Sequence, residues 1–395
     1  MKHKSSFSES KQSVNFLFCA IVFLIIILVK DNKNVLPQAQ DEVNSTTVTT
    51  TTTRPTGTDN GNTALLKNYY MLNNYMPNKA ATINRLLQSA GENAEAFVFI
   101  TDPHTEQNRN AEQTSSLVNF LCSRVDLSRA IVGGDMFIGP SDTYARTMKE
   151  AFTDGTVHYV MGNHEYDRNT TDEELVNIYH DDKPQEIGNI DRHYYYVDST
   201  ENKLRYVVLN GWEEGSETAD DLPTTQNEWL KNEALNVDEG WGVLVFTHQF
   251  INRDWRGDYP YHRYFGTAWK PIAKTLLEYD GKGEILAVFH GHIHQDMISR
   301  MHLDSDGNPV LDDTCGGIPL IGTASDKFYT DKENSPYEFL IDREEGTITE
   351  QAFDVVVVDR ENGKIHCVRI GAPARADTGW IDQEQVEIRT VNIRE

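Results

Sequence analysis

Five short apolar runs of the chain end at residues able to hold a metal ion. Phe97–Ile100 is followed by Asp102 and His104, Ala130–Val132 by Gly133, Gly134 and Asp135, and Val157–Met161 by Gly162, Asn163, His164 and Glu165. Val243–Phe246 leads to His248, and Ile285–Phe289 leads to Gly291, His292, Ile293 and His294. Carboxylate and imidazole together suit divalent transition metals, whereas a calcium site would be built from oxygen alone. No cysteine belongs to the set, which argues against a structural zinc site. Two ions about 4 Å apart, sharing one carboxylate, would be poised for in-line attack on a phosphoryl group. The pairs Asp102/His104 and His292/His294 can send one residue to each ion or both to one.

The elements that must position these residues follow from periodicity. The apolar runs, with Arg205–Leu209, have strand length and the character of strands covered on both faces. Helical spacing appears at Ala64–Ala90, Ser115–Val125, Glu173–Tyr179, Gln226–Ala234 and Ile272–Tyr279. Phe353–Val358, Asn362-Gly363 and Ile365–Ile370 read as a C-terminal β-hairpin, with Asn-Gly supplying the positive φ angles of its turn. The expected class is a layered α/β domain. In open α/β sheets ligands bind beyond the carboxyl ends of strands, so five such ends can converge on one site.

Charge and the amino terminus bound the setting. The 395 residues carry 61 Asp and Glu against 36 Lys and Arg, a net charge of −25. Such a chain lacks the cationic excess that drives binding to phosphate backbones, so no nucleic-acid partner is expected. Lys2, Lys4 and Lys11 precede an apolar run from Val14 to Val29, and Asp41 and Glu42 follow it. Residues 1–31 therefore read as an export signal, an uncleaved anchor in preference to a cleaved signal peptide, with the body outside the cytoplasm. Residues 32–63, with Thr49–Thr53 and little apolar surface, read as a disordered stalk, and 64–395 as the catalytic domain. Four cysteines exclude a disulfide-stapled scaffold, and Cys122, Cys315 and Cys367 are read as small buried residues.

Asp102-x-His104, Gly134-Asp135, Gly162-Asn163-His164-Glu165, His248 and Gly291-His292-x-His294 resemble, in order, the five blocks of the calcineurin-like metallophosphoesterases. The blocks span Asp102 to His294, and each follows an apolar run. The resemblance implies a four-layer sandwich, two mixed β-sheets face to face with helices outside. It implies that Asp102, His104 and His294 hold one ion, that Asp135 bridges, and that Asn163, His248 and His292 hold a second. The ions would be Mn, Fe or Zn, and a metal-bound hydroxide would attack the phosphate ester. His164 would face the substrate, stabilising the transition state or protonating the leaving oxygen, with Glu165 orienting it.

Departures from the family's branches narrow the class. Asp135 is followed by Met136-Phe137-Ile138-Gly139-Pro140, without the arginine of protein Ser/Thr phosphatases. Ile138 stands where purple acid phosphatases carry tyrosine, and the residues after His294 are too few for the substrate domain of secreted 5′-nucleotidases. The resemblance is thus to compact exported phosphoesterases acting on phosphomonoesters or phosphodiesters. The alternatives are a non-catalytic surface binding protein on the same fold and a metal-dependent nuclease; the latter conflicts with the acidic charge. Trp255–Tyr264, dense in aromatics and cations, reads as an ordinary aromatic loop, with a phosphate or base clamp as its second reading. His158, His180, His193, His302 and His366 show no partner spacing and are read as structural; His290 is read as packing support.

Overall fold

The computed structural model describes residues 67–105, 111–139, 141–152, 156–180, 185–212, 214, 222–253, 263–312, 316–326, 343–375 and 385–394. The expected export signal and stalk, Cys315 and most of Trp255–Tyr264 lie outside them. Among the described residues no helix is long and apolar enough to cross a membrane.

In chain order the strands are β1 (Glu95–Ile100), β2 (Arg129–Val132), β3 (Thr156–Tyr159), β4 (Ile187–Asn189), β5 (Tyr194–Ser199) and β6 (Leu204–Val208). There follow β7 (Gly242–Thr247), β8 (Ile251–Arg253), β9 (Arg263–Phe265), β10 (Glu284–His290), β11 (Met297–Leu303) and β12 (Pro309–Asp312). The last are β13 (Ile318–Gly322), β14 (Ala352–Asp359), β15 (Lys364–Gly371), β16 (Ala374–Arg375), β17 (Gln385–Val386) and β18 (Ile388–Asn392). One sheet has the order β18-β15-β14-β1-β2-β3 and the other β12-β11-β13-β10-β7-β6-β5-β4. Among the described residues parallel pairing is confined to β1–β2–β3 and to β13–β10–β7–β6; an antiparallel strand adjoins the first group at β1, and antiparallel strands adjoin the second on both sides.

Strand alternation builds the layers. Along β1, Phe97 and Phe99 enter a core shared with Phe246 and Phe289 of the second sheet, whereas Ala96, Val98 and Ile100 face helices. The helices Tyr75–Ser89, Ala111–Cys122, Asp142–Ala151 and Asp172–Tyr179 cover the first sheet. Gln226–Trp229, continued as a wider turn through Ala234, and Trp269–Leu277 cover the second. The four-layer sandwich of two mixed sheets is thus present. Cys367 is buried between the sheets, whereas Cys122, expected to be buried, is only half-buried at the end of its helix.

Two expectations change. The helix Asp142–Ala151 was not anticipated; it buries Tyr144, Ala145, Met148 and Ala151 on one face, and the Ser141 hydroxyl accepts from Tyr144 N at 3.3 Å as its cap. The C-terminal hairpin forms, with Asp359 opposite Lys364, but its loop is four residues long. Only Gly363 takes a positive φ (64°) there; Asn362 instead donates its amide N–H to Asp359 Oδ1 at 2.9 Å. The side-chain cap replaces the two-residue turn.

A buried ion cluster ties the sheets together beside the site. Arg369 (β15) donates from Nε to Asp354 (β14) at 2.9 Å and pairs through Nη2 with Asp296. Arg389 (β18) donates to Asp354 at 2.6 Å and to the Gly322 carbonyl at 2.8 Å. Asp296 follows β10, and Gly322 ends β13, so first-sheet guanidiniums reach second-sheet strand ends.

Candidate metal centre

The parallel strands of both sheets release their chains at one place. Asp102 and His104 follow β1, Asp135 follows β2, Asn163 and His164 follow β3, His248 follows β7, and His292 and His294 follow β10. Five of these residues have left-handed backbone: Asp102 (φ 50°), His104 (43°), Asp135 (55°), His292 (66°) and His294 (53°). Such conformations cost on the order of 1–3 kcal/mol each unless neighbours fix them. Here the Asp102 amide donates to the Gly134 carbonyl at 3.0 Å and the His104 amide to the Asp135 carbonyl at 3.1 Å. Gly134 (φ 96°) lets the His248 ring approach; a Cβ there would sit 2.5 Å from its Nδ1.

Two ligand groups result, and Asp135 belongs to both: Asp102, His104, Asp135 and His294 in one, Asp135, His248 and His292 in the other. His294 Nε2 lies 3.1 Å from Asp102 Oδ1 and 3.2 Å from His104 Nε2, and His104 Nε2 lies 3.8 Å from Asp135 Oδ2. On the other side His248 Nε2 is 3.1 Å from Asp135 Oδ2, and the His248 and His292 rings are 5.2 Å apart. His248 Nδ1 donates to the Gly133 carbonyl at 2.7 Å, which directs Nε2 inward. The Asn163 Oδ1 atom is buried without a hydrogen-bond partner. An orphaned acceptor of this kind, beside two buried carboxylates, fits divalent cations.

The electrostatics agree. Burial by itself would raise Asp102, but His294 and His248 outweigh it and hold its carboxyl below the usual range. Asp135 is likewise held well below, burial being overcome by His248, His104 and His164. Burial pulls His248 down, yet Asp135 and Asp102 push it up to about 10. Burial and the charge on His248 lower His292 to about 3, and burial lowers His294. Among the described residues the ion pairs of Asp102 and Asp135 are all with histidines, and in the metal-free site His248 carries a proton.

The family model for calcineurin-like phosphoesterases matches residues 96–296, the stretch from β1 through the last histidine block. The chain belongs to that family. Among solved structures it is similar to the phosphopantetheinyl hydrolase (PptH) from Mycobacterium tuberculosis, at 13% identity and a TM-score of 0.29, over 60% of this chain and 91% of that one. That likeness says nothing of substrate. A comparison with curated proteins finds no match.

In this phosphoesterase all nine residues singled out in the sequence surround one centre, but Glu165 has a different task from the one expected. It does not orient His164. Its Oε2 accepts from the backbone N–H groups of Gly162 (2.6 Å) and Asp135 (2.9 Å), and Oε1 accepts from Met136 (2.6 Å). Glu165 thereby clamps the Asp135 loop to the Asn163 loop; burial and the charge on Asp135 push it up to about 7. His164 Nδ1 donates instead to Asp167 Oδ2, at 2.6 Å. Burial lowers His164, but Asp135 and Asp167 outweigh it and leave its pKa raised. His164 Nε2 points toward the centre, 4.0 Å from Asp135 Oδ2, with its side chain 35% exposed.

Three further supports come from residues that the sequence did not mark. Gln249 Nε2 lies 3.3 Å from His292 Nε2. Ser325, past the end of β13, donates to the Asp102 carbonyl at 2.6 Å, and Arg343 donates to the Ser325 carbonyl at 2.8 Å. Their signal is a sixth strand end: β13 is parallel to β10, so the Gly322–Asp326 turn arrives where the other ligands do. His290 is buried beside the last block, its Nδ1 3.0 Å from the Gly291 carbonyl, as packing support requires.

Proposed function

We propose that the chain is a two-metal hydrolase of phosphoric esters, mono- or diesters, working outside the cytoplasm. The observation that carries this is the pair of ligand groups meeting at Asp135, with His164 beside them. Asp102, His104, His294 and Asp135 would hold one divalent ion, and Asp135, Asn163, His248 and His292 the other. Two such ions supply Lewis acidity and an activated water near neutral pH. Asp135 keeps the two ligand groups in register, and Glu165 fixes the backbone on which Asp135 and Asn163 stand. His164, half exposed and held by Asp167, carries a proton at Nε2 for the oxygen that leaves. The export-type amino terminus supports placing the reaction outside the cytoplasm, anchored to a membrane or released.

The test compares p-nitrophenyl phosphate with bis-p-nitrophenyl phosphate before and after chelation. Hydrolysis of at least one, lost on chelation and restored by Mn²⁺, Fe²⁺ or Zn²⁺, is expected. Undiminished turnover in metal-stripped protein would falsify the reading.

A further inference from the structure

Three histidines far apart in the sequence meet in one buried row. His158 Nδ1 and His180 Nδ1 lie 2.8 and 2.7 Å from the two carboxylate oxygens of Glu186. His180 Nε2 lies 3.0 Å from His193 Nδ1, and His193 Nε2 lies 3.5 Å from Asp172 Oδ1. The Tyr166 phenol donates to that same oxygen at 3.1 Å and accepts from Asn210 Nδ2 at 3.0 Å. The side chains of His158, His180 and His193 are fully buried, and Glu186 is 1% exposed.

The two ends of the row give it meaning. His158 sits on β3, and from there the backbone runs through Gly162, Asn163, His164 and Glu165 to Tyr166. Backbone on one side and side chains on the other therefore close a ring, and the ring contains Asn163. Apolar residues of similar volume would fill the same space without desolvating charged groups. What hydrogen bonds add over packing is direction, and a metal ligand needs direction. Glu165 grips the inner edge of this segment, whereas the histidine row grips it from outside.

We propose that the row Asp172–His193–His180–Glu186–His158 is a positioning device for Asn163, and through it for the second ion before the first. This rests on the two-ion reading above. Of the other ion's ligands, Asp102, His104 and His294 hang from β1 and β10 and have no part in the ring; only the shared Asp135 touches it, through the His164 N–H at 3.0 Å and Glu165.

The test is Mn²⁺ titration of the full chain, followed by calorimetry and electron paramagnetic resonance, in wild type, Tyr166→Phe and Glu186→Gln. Wild type should bind two ions and give the spectrum of an exchange-coupled pair. Tyr166→Phe keeps the ring in place and removes only its hydroxyl. It should bind the second ion about 10-fold more weakly, with the first weakened much less and an uncoupled single-ion spectrum at low Mn²⁺. Glu186→Gln should lose at least as much; should it fail to fold, Tyr166→Phe decides. An unaltered second affinity with a coupled spectrum in Tyr166→Phe would overturn the proposal, as would equal weakening of both ions. A wild type that never shows a coupled pair overturns the two-ion reading itself and is recognisable without any variant.

Discussion

Two buried charge clusters lie near one another and solve opposite problems. In the inter-sheet cluster, Asp296 and Asp354 face Arg369 and Arg389, so two negative side chains meet two positive ones inside the protein. In the metal centre, among the described residues, Asp102 and Asp135 pair with histidines and with no lysine or arginine. The first cluster carries its own counter-charge and rigidifies the strand ends. The second has only histidines to balance its carboxylates and holds the orphaned Asn163 Oδ1, which makes it a receptor for cations from outside. Burial is similar in both; which partner is missing separates structure from function.

Removing charge should therefore act differently in the two places. The largest effect is expected for Asp135→Asn, which should lower turnover by roughly 1000-fold and weaken metal loading, since both ligand groups use that carboxylate. Stability of the metal-free protein should move little, because His248 gives up its proton once the carboxylate is gone; turnover and urea unfolding check the two halves. Arg369→Leu should do the reverse. It leaves two buried carboxylates with one guanidinium and should cost about 3–5 kcal/mol of unfolding free energy. A change below about 1 kcal/mol would mean that the cluster is not the tie described.

Acidity sharpens the contrast. In the metal-free site His248, pushed up to about 10, holds a proton at neutral pH that an incoming ion must displace. Apparent affinity at that position should rise about tenfold per pH unit between about pH 6 and pH 9, and fall as the solution is acidified. Calorimetric titration at several pH values reads this directly, and a flat profile would show that no proton is released. The smallest effect is expected at Asp167→Asn, roughly 10-fold in kcat with metal content intact, because it only turns and charges His164. An unchanged kcat would return His164's orientation to some other group.

The sequence marked the metal centre well because its ligands are local events at strand ends: each block sits on a turn that its own glycine and apolar run define. The inter-sheet cluster left no such trace. Asp354, Arg369 and Arg389 lie within strands, where charged residues break the apolar pattern without announcing partners. The histidine row was invisible for the same reason, since His158, His180 and His193 have no common period and meet only after folding. Asp167 lay three residues from His164, yet adjacency favoured Glu165; the 3₁₀ turn His164–Asn169 turns Glu165 inward and brings Asp167 back to the imidazole. The helix Asp142–Ala151 was hidden by its charged outer face, although Ser141 and the apolar spacing from Tyr144 to Ala151 were both present.

The central claim is that the deficit of buried positive charge is met by two cations sharing Asp135. Elemental analysis of the full chain, loaded with Mn²⁺ and dialysed at about pH 8, tests it most directly. Two ions per wild-type chain and fewer than one per Asp135→Asn chain are expected. A wild type that retains one ion or none after saturation would contradict it.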